Sequence, residues 1–272
     1  MATTPNPFAV QEPGYIPLEP DPLVRTIAQV RFQQLTKFTS NEDAVAAAIA
    51  AALADDYPLI EEGREVSVTL TPGGMTEGST STRLWRLASA DGSWQVSFGG
   101  TFLSIDTTAY TRRSDFAQRF AAAWEALNTQ VLVPFITRLG VRYINQLTDR
   151  EAHLNKLSKL LRPEVLGVAI VEEHPAAELM STISETQYRF ADGGRFMARW
   201  GLLPAGAIID TASQPCGYPT WVLDTDSYQE FTAGAKKPDD LIEDVKALSL
   251  HGYRFFRWAV TDEFLAAFGG QL

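Results

Sequence analysis

Two stretches, LSIDTTAY at residues 103–110 and WVLDTDSY at residues 221–228, follow one pattern: an apolar strand that ends in Asp-Thr, with a tyrosine three residues later. A second pair of matching stretches lies upstream of them in the same order. Ordered matches of this kind are typical of an internal duplication. The matched pairs are Asp106 and Asp224, Thr107 and Thr225, Tyr110 and Tyr228, and Val30-Arg31-Phe32 with Val141-Arg142-Tyr143.

The first half of the chain predicts the order β-α-β4-α. An alanine-rich helix follows the first strand, and an Asp-Gly turn at residues 91–92 joins two alternating runs, which is a strong hairpin signal. One apolar stripe at helical spacing then predicts a long helix. The stripe consists of Phe116, Phe120, Trp124, Leu127 and Val131, and the predicted strands are 24–35, 64–71, 81–89, 93–99 and 101–109.

The second half predicts the same order again, with a strand at 139–147, a helix at 148–161 and a further strand at 164–173. A hairpin around Asp192-Gly193-Gly194, a strand at 218–228 and a long final helix from Pro238 complete it. The sequence therefore predicts an α+β protein of two diverged β-α-β4-α units, at 22–138 and 139–272, with antiparallel sheets that are each covered by a long helix. This element order resembles the half-unit of the TATA-box-binding-protein fold, as an analogy of topology alone.

Composition limits the classes of partner. Acidic residues exceed basic ones by 33 to 23, and the net charge of -10 has the wrong sign for a surface that neutralises phosphates, so we expect no nucleic-acid partner. The single cysteine, Cys216, excludes an intrachain disulfide and favours a cytoplasmic location. We expect no signal peptide and no membrane span, because no apolar run reaches about 18 residues.

Residues 1–21 predict an extended proline-rich arm. Phe8 and Tyr15 give this arm aromatic anchors that would pack on the body of the protein or on a partner. Trp85 and Trp94 flank one predicted hairpin. They either pack in the core or line an exposed sheet face, and an exposed aromatic face would be a contact surface for a partner.

The stretch RLGVRYIN, with an aromatic-striped helix before it, resembles the core motif Arg-x-Gly-x-Arg-Tyr-x-Asn of a sporadically distributed family of bacterial and phage proteins. The motif residues here are Arg138, Gly140, Arg142, Tyr143 and Asn145. The resemblance extends from about Pro22 onward and implies no particular activity. Its patchy distribution implies horizontally transferred genes and a role in a mobile defence, toxin-antitoxin or prophage system.

Arg31 and Arg142 are the candidate ligand-binding residues, together with Tyr143 and Asn145. An arginine on a strand beside an aromatic ring can bind a carboxylate or phosphate with two parallel hydrogen bonds. The alternative is that each arginine forms a structural ion pair with the acid at its matched position. The residues of this structural or capping set are Asp106, Asp224, Tyr110 and Tyr228.

The sequence contains no recognisable catalytic or metal-binding pattern. His153, His174 and His251 lack the short spacings of a metal site, and nothing beside Cys216 marks it as a nucleophile. We therefore predict no catalytic residues, no metal and no cofactor, although an enzyme of unfamiliar mechanism stays open.

Two functions from different classes follow. The first is a non-enzymatic protein-binding or regulatory component whose partner is another protein or a second copy of the chain. The second is a sensor of a small anionic metabolite or nucleotide, held by Arg31 or Arg142.

Overall fold

The computed structural model describes residues 5–9, 13–71, 74–170, 175–209, 215–232 and 234–270. The strands are β1 (Leu23–Phe32), β2 (Leu59–Thr71), β3 (Gly74–Ala88), β4 (Trp94–Gly99), β5 (Phe102–Thr107), β6 (Ile136–Leu147), β7 (Ser184–Arg189), β8 (Arg195–Leu203) and β9 (Thr220–Glu230). The helices are α1 (Thr36–Thr39), α2 (Glu42–Ala52), α3 (Arg113–Val131), α4 (Leu157–Leu160), α5 (Pro163–Leu166), α6 (Leu241–Ala259) and α7 (Asp262–Ala267). Two 3₁₀ turns lie at Leu154–Lys156 and Gly167–Ile170.

The described strands form a single nine-stranded sheet in the order β2-β3-β4-β5-β1-β6-β9-β8-β7. The protein is α+β, but the predicted pair of sheets, each covered by a long helix, is wrong. In two separate sheets, β1 and β6 would each be an edge strand. Here they are hydrogen-bonded to each other, and this pairing joins the strands of both halves into one sheet. Outward from β1 the neighbours are β5, β4 and β3, and outward from β6 they are β9, β8 and β7. Asp106 on β5 and Asp224 on β9 thus lie on strands with equivalent places in the order.

Residue contacts divide the chain into two compact units, and β1, β6, β9 and α6 contribute residues to both. We call them the arm unit, which contains the proline-rich arm, and the hairpin unit, which contains the β2–β3 hairpin. The arm unit consists of Met1–Thr26, Val141–Tyr228 and Ala247–Leu272, and the hairpin unit consists of Ile27–Gly140 and Gln229–Lys246.

The core of the hairpin unit forms where α3 packs on the sheet. The apolar stripe predicted for α3 is buried, with Phe116 and Phe120 fully enclosed. Trp124 meets Phe32 of β1 edge to face at 6.1 Å between ring centroids. The helix ends at Val131, and Leu132 takes a left-handed conformation before the chain reaches Pro134.

The core of the arm unit forms where α6 packs on β6, β8 and β9. Phe255 of α6 lies 5.2 Å from Phe196 of β8, in a cluster that also buries Trp221 and Leu223. The helix continues through Gly252, where a side chain would not fit: a Cβ atom there would lie 2.7 Å from Cδ2 of Tyr143. The glycine lets the helix approach the sheet closely.

The segment at 164–173 was predicted as a strand, and its described part is instead α5 followed by a 3₁₀ turn. Pro163 occupies the first turn of α5, where its missing N–H costs nothing. Val165 and Leu166 are buried in the core of the arm unit. The apolar run that suggested a strand therefore belongs to a short helix whose side chains pack in this core. None of the described helices is long and apolar enough to span a membrane.

Candidate binding site on strands β7, β8 and β9

The contacts of α6 identify the two faces of the sheet in the arm unit. Gly252 of α6 lies against Tyr143 and Thr225, and His251 shares a hydrogen bond with Ser227. Successive side chains of a strand point to opposite faces. Arg142 and Asp224 therefore lie on the face opposite α6, which we call the far face.

Asp224 is the centre of an ion-pair cluster on the far face. Arg142 donates from Nε to one carboxylate oxygen and from a terminal nitrogen to the other, both at 2.7 Å. Arg199, the cross-strand partner of Asp224, donates a third bond at 2.8 Å. The Asp224 side chain is 1% exposed, whereas each arginine side chain is 18% exposed. These three charge-assisted bonds compensate the carboxylate for its lost hydration.

The residues that face each other across β7, β8 and β9 at the level of Asp224 alternate in charge. Glu185 of β7 lies opposite Arg199 of β8, which in turn lies opposite Asp224 of β9. Opposite charges at facing positions stabilise an antiparallel pair. Arg142 and Asp224 thus form an ion pair within the sheet, as one of the two alternatives for these residues expects.

The row nearest the β7–β8 turn has a different charge pattern. Arg189 of β7 lies directly opposite Arg195 of β8, and Arg195 lies opposite Tyr228 of β9. These three residues line one open, polar pocket. Both arginines are exposed. The other lining residues are Gln187, Tyr188 and Phe196.

Arg31 is the residue of the first half that corresponds to Arg142 in the sequence. It is exposed, and its Nε donates to Gln29 at 2.8 Å. Asp106, which corresponds to Asp224 in the sequence, accepts a hydrogen bond of 3.3 Å from Gln95. The turn after β5 is capped by Thr107, whose hydroxyl accepts the N–H of Ala109 at 2.9 Å. Tyr110 packs beside Phe116, with 5.7 Å between ring centroids.

The other residues of the motif on β6 have local structural contacts. Tyr143 is buried against Gly252, and the amide of buried Asn145 donates to the carbonyl of Leu223 at 3.4 Å. Gly140 leaves room for Arg138, because a Cβ atom at this glycine would lie 2.9 Å from the guanidinium.

The aromatic residues suggested as partner contacts have intramolecular neighbours. Trp85 and Trp94 are 4% and 7% exposed, so they belong to the core and do not form an exposed sheet face. Trp85 stacks on Phe98 at 5.9 Å between centroids. Phe8 packs within the arm unit, whereas Tyr15 is 60% exposed.

No group of three metal-ligating side chains occurs among the residues that the structure describes. His153 stacks on Phe268 at 4.7 Å between centroids, and His174 lies outside the described residues. Burial and the nearby charge of Arg254 lower the pKa of His251 from its ordinary value of 6.5. Cys216 is a half-buried free thiol in a loop.

The sequence reasoning missed Arg189 and Arg195. The signal was present, because the two arginines flank the Asp192-Gly193-Gly194 turn and a hairpin places such residues opposite each other. It was overlooked because only the turn was considered, and not the pairs that the turn creates.

No family model matches the chain, and no curated protein matches it.

Proposed function

We propose that this chain is a non-enzymatic binding protein that recognises an acidic group of a protein partner at the pocket of Arg189, Arg195 and Tyr228. The observation that supports it is the direct opposition of two exposed arginines across β7 and β8. Arginine side chains bind carboxylates with strong, charge-assisted hydrogen bonds. Tyr228 and Gln187 add polar groups at the same pocket.

The shape of the pocket favours a protein over a small metabolite. Sites for small ligands are usually concave, mostly apolar and enclose most of the ligand. This pocket is open and mainly polar. Such a surface suits the rim of a protein interface, where charged contacts determine orientation and association rate.

The resemblance of the β6 motif to a sporadically distributed family supplies the biological setting. On that basis we place the chain as the regulatory or partner-binding component of a mobile defence, toxin-antitoxin or prophage system. The partner is then a protein encoded beside it.

The experiment is native mass spectrometry of the tagged chain, expressed together with its neighbouring genes. We compare the wild type with Arg189→Glu, which reverses one exposed charge of the pocket, and with Arg150→Glu, an exposed arginine in the turn after β6. We expect a stoichiometric protein partner with the wild type and with Arg150→Glu, and its loss with Arg189→Glu. A partner that Arg189→Glu retains, or a chain that carries none, contradicts the proposal.

A small-anion sensor is the second candidate, because the facing arginines would equally attract a phosphate. Isothermal titration of the wild type and of Arg189→Glu with inorganic phosphate separates the two. Saturable binding that Arg189→Glu abolishes, without any protein partner, favours the sensor. No heat with phosphate, together with a protein partner, favours the binding protein.

A further inference from the structure

The proline-rich arm inserts one aromatic ring into a cage on the arm unit. The ring of Phe8 meets Tyr188, Phe190, Phe196 and His251 edge to face. The distances between centroids are 5.0, 5.0, 5.1 and 5.9 Å, respectively. Edge-to-face pairs are a favoured arrangement of aromatic rings, so the cage has the geometry of a receptor for an aromatic side chain.

Side chains of α6 also form hydrogen bonds with the arm backbone. Trp258 donates from its indole nitrogen to the carbonyl of Pro5 at 2.9 Å. Tyr253 donates to the carbonyl of Gly14 at 2.8 Å, and its hydroxyl accepts the N–H of Ile16 at 3.2 Å. Phe8 itself lies in a turn, in which the N–H of Ala9 donates to the carbonyl of Asn6 at 3.0 Å and the N–H of Phe8 donates to the Asn6 side chain at 2.9 Å.

This combination has the chemistry of a peptide-binding groove. Domains that recognise proline-rich segments use aromatic side chains that line a groove and tryptophan or tyrosine donors that reach backbone carbonyls. Proline restricts the backbone of the peptide before binding, which lowers the entropy that is lost on docking. The arm has prolines at 5, 7 and 13 around the inserted phenylalanine.

We propose that this groove, formed by Tyr188, Phe190, Phe196, His251, Tyr253 and Trp258, recognises a proline-containing segment of another protein that presents a phenylalanine in a turn. The arm is the resident intramolecular occupant of the groove and keeps it closed to that segment. The inference rests on the contacts of the arm and not on the facing arginines, although Tyr188 and Phe196 line both the cage and the pocket of Arg189 and Arg195. The arm itself is the evidence for the chemistry of the occupant.

Tethering predicts how a free peptide should behave. An attached segment competes at an effective concentration of about millimolar or above, so a free peptide binds the wild type weakly. Removal of the Phe8 ring frees the cage while the rest of the chain stays complete.

The test uses a fluorescein-labelled peptide of residues 5–18 and full-length chains, with fluorescence anisotropy as the readout. We expect the peptide to bind the Phe8→Ala chain at least about tenfold more tightly than the wild type, because the intramolecular competitor is weakened. A peptide that itself carries Phe8→Ala should not bind. Equal affinity for both chains, or no binding to the Phe8→Ala chain, overturns the proposal.

Two further variants separate loss of recognition from loss of folding. Trp258→Phe in the Phe8→Ala chain keeps an aromatic ring but removes the donor to Pro5, and we expect severalfold weaker peptide binding with an unchanged far-ultraviolet circular dichroism spectrum. Tyr218→Ala, which alters a side chain that is 70% exposed, should leave peptide binding unchanged. Peptide affinity that Trp258→Phe leaves unchanged argues against the groove.

The same samples test the competing occupant, the arm of a second copy. Sedimentation equilibrium of the wild type should report a monomer. A wild-type dimer that Phe8→Ala dissociates overturns the proposal and assigns the groove to arm exchange between copies.

Discussion

Arg142 and Asp224 are 82 positions apart in the chain and are joined by two hydrogen bonds of 2.7 Å. The carboxylate is almost completely buried, and Arg199 contacts it from the next strand. Removal of one arginine from such a buried carboxylate strongly destabilises the fold, because it leaves a buried charge without compensation. The pair therefore ties β6 to β9 and helps to set their register.

We predict that Arg142→Ala lowers the free energy of unfolding by about 3–5 kcal/mol, the range for breaking one side of a buried ion pair. Arg31→Ala is the matched control, since Arg31 has the equivalent sequence position but is exposed. It should change stability by no more than about 0.5 kcal/mol. Urea unfolding followed by tryptophan fluorescence measures both, and equal losses would refute the structural role of the pair.

Gly252→Ala tests the close approach of α6 to the sheet. A Cβ atom at this position would lie 2.7 Å and 3.1 Å from two ring carbons of buried Tyr143. Alanine favours a helix by about 1 kcal/mol over glycine, but overpacking of a core costs about 1–3 kcal/mol. We expect a net loss of thermal stability, whereas Gly217→Ala, with open space around the glycine, should have little effect.

Trp85→Ala tests whether this tryptophan belongs to the core. The ring stacks on Phe98 and lies under the guanidinium of Arg83, whose carbon is 4.9 Å from the ring centroid. Truncation of a buried tryptophan costs about 3–5 kcal/mol, so we expect a large drop in the urea midpoint. If the variant were as stable as the wild type, the tryptophan would belong to a surface and not to the core.

His251 makes stability depend on pH. Burial and the charge of Arg254 lower its pKa in the folded protein below 6.5, although Asp192 opposes this shift. The unfolded chain therefore binds the proton more readily, and stability rises with pH between the folded pKa and 6.5. The contribution is complete above the unfolded pKa and is lost as the pH falls through the folded one.

The measurement for this residue is the urea midpoint of the wild type and of His251→Gln from about pH 5 to 8, the range in which histidine titrates. We expect the variant to lose part of the rise in stability with pH. Parallel curves for the two proteins would show that His251 does not cause it.

The elements that were predicted correctly from the sequence depend on local patterns. The stripe of α3 and the turns at residues 91–92 and 192–194 each follow from neighbours within a few positions. The segment at 164–173 was wrong because a short apolar run suits a strand and a buried helical turn equally, and only the core that it joins distinguishes them. In the same way, the sequence alone did not show that Arg142 contacts Asp224, because the two residues are far apart in the chain.

The sequence by itself determined the α+β class, most of the strands and both long helices, because propensity, periodicity and turn chemistry act over short distances. Only the tertiary structure decided that the strands form one sheet, that Asp224 lies between two arginines and that Phe8 fills a cage on its own chain. Those features depend on contacts between residues tens to hundreds of positions apart. Their free energy comes from burial and desolvation, which no local pattern records.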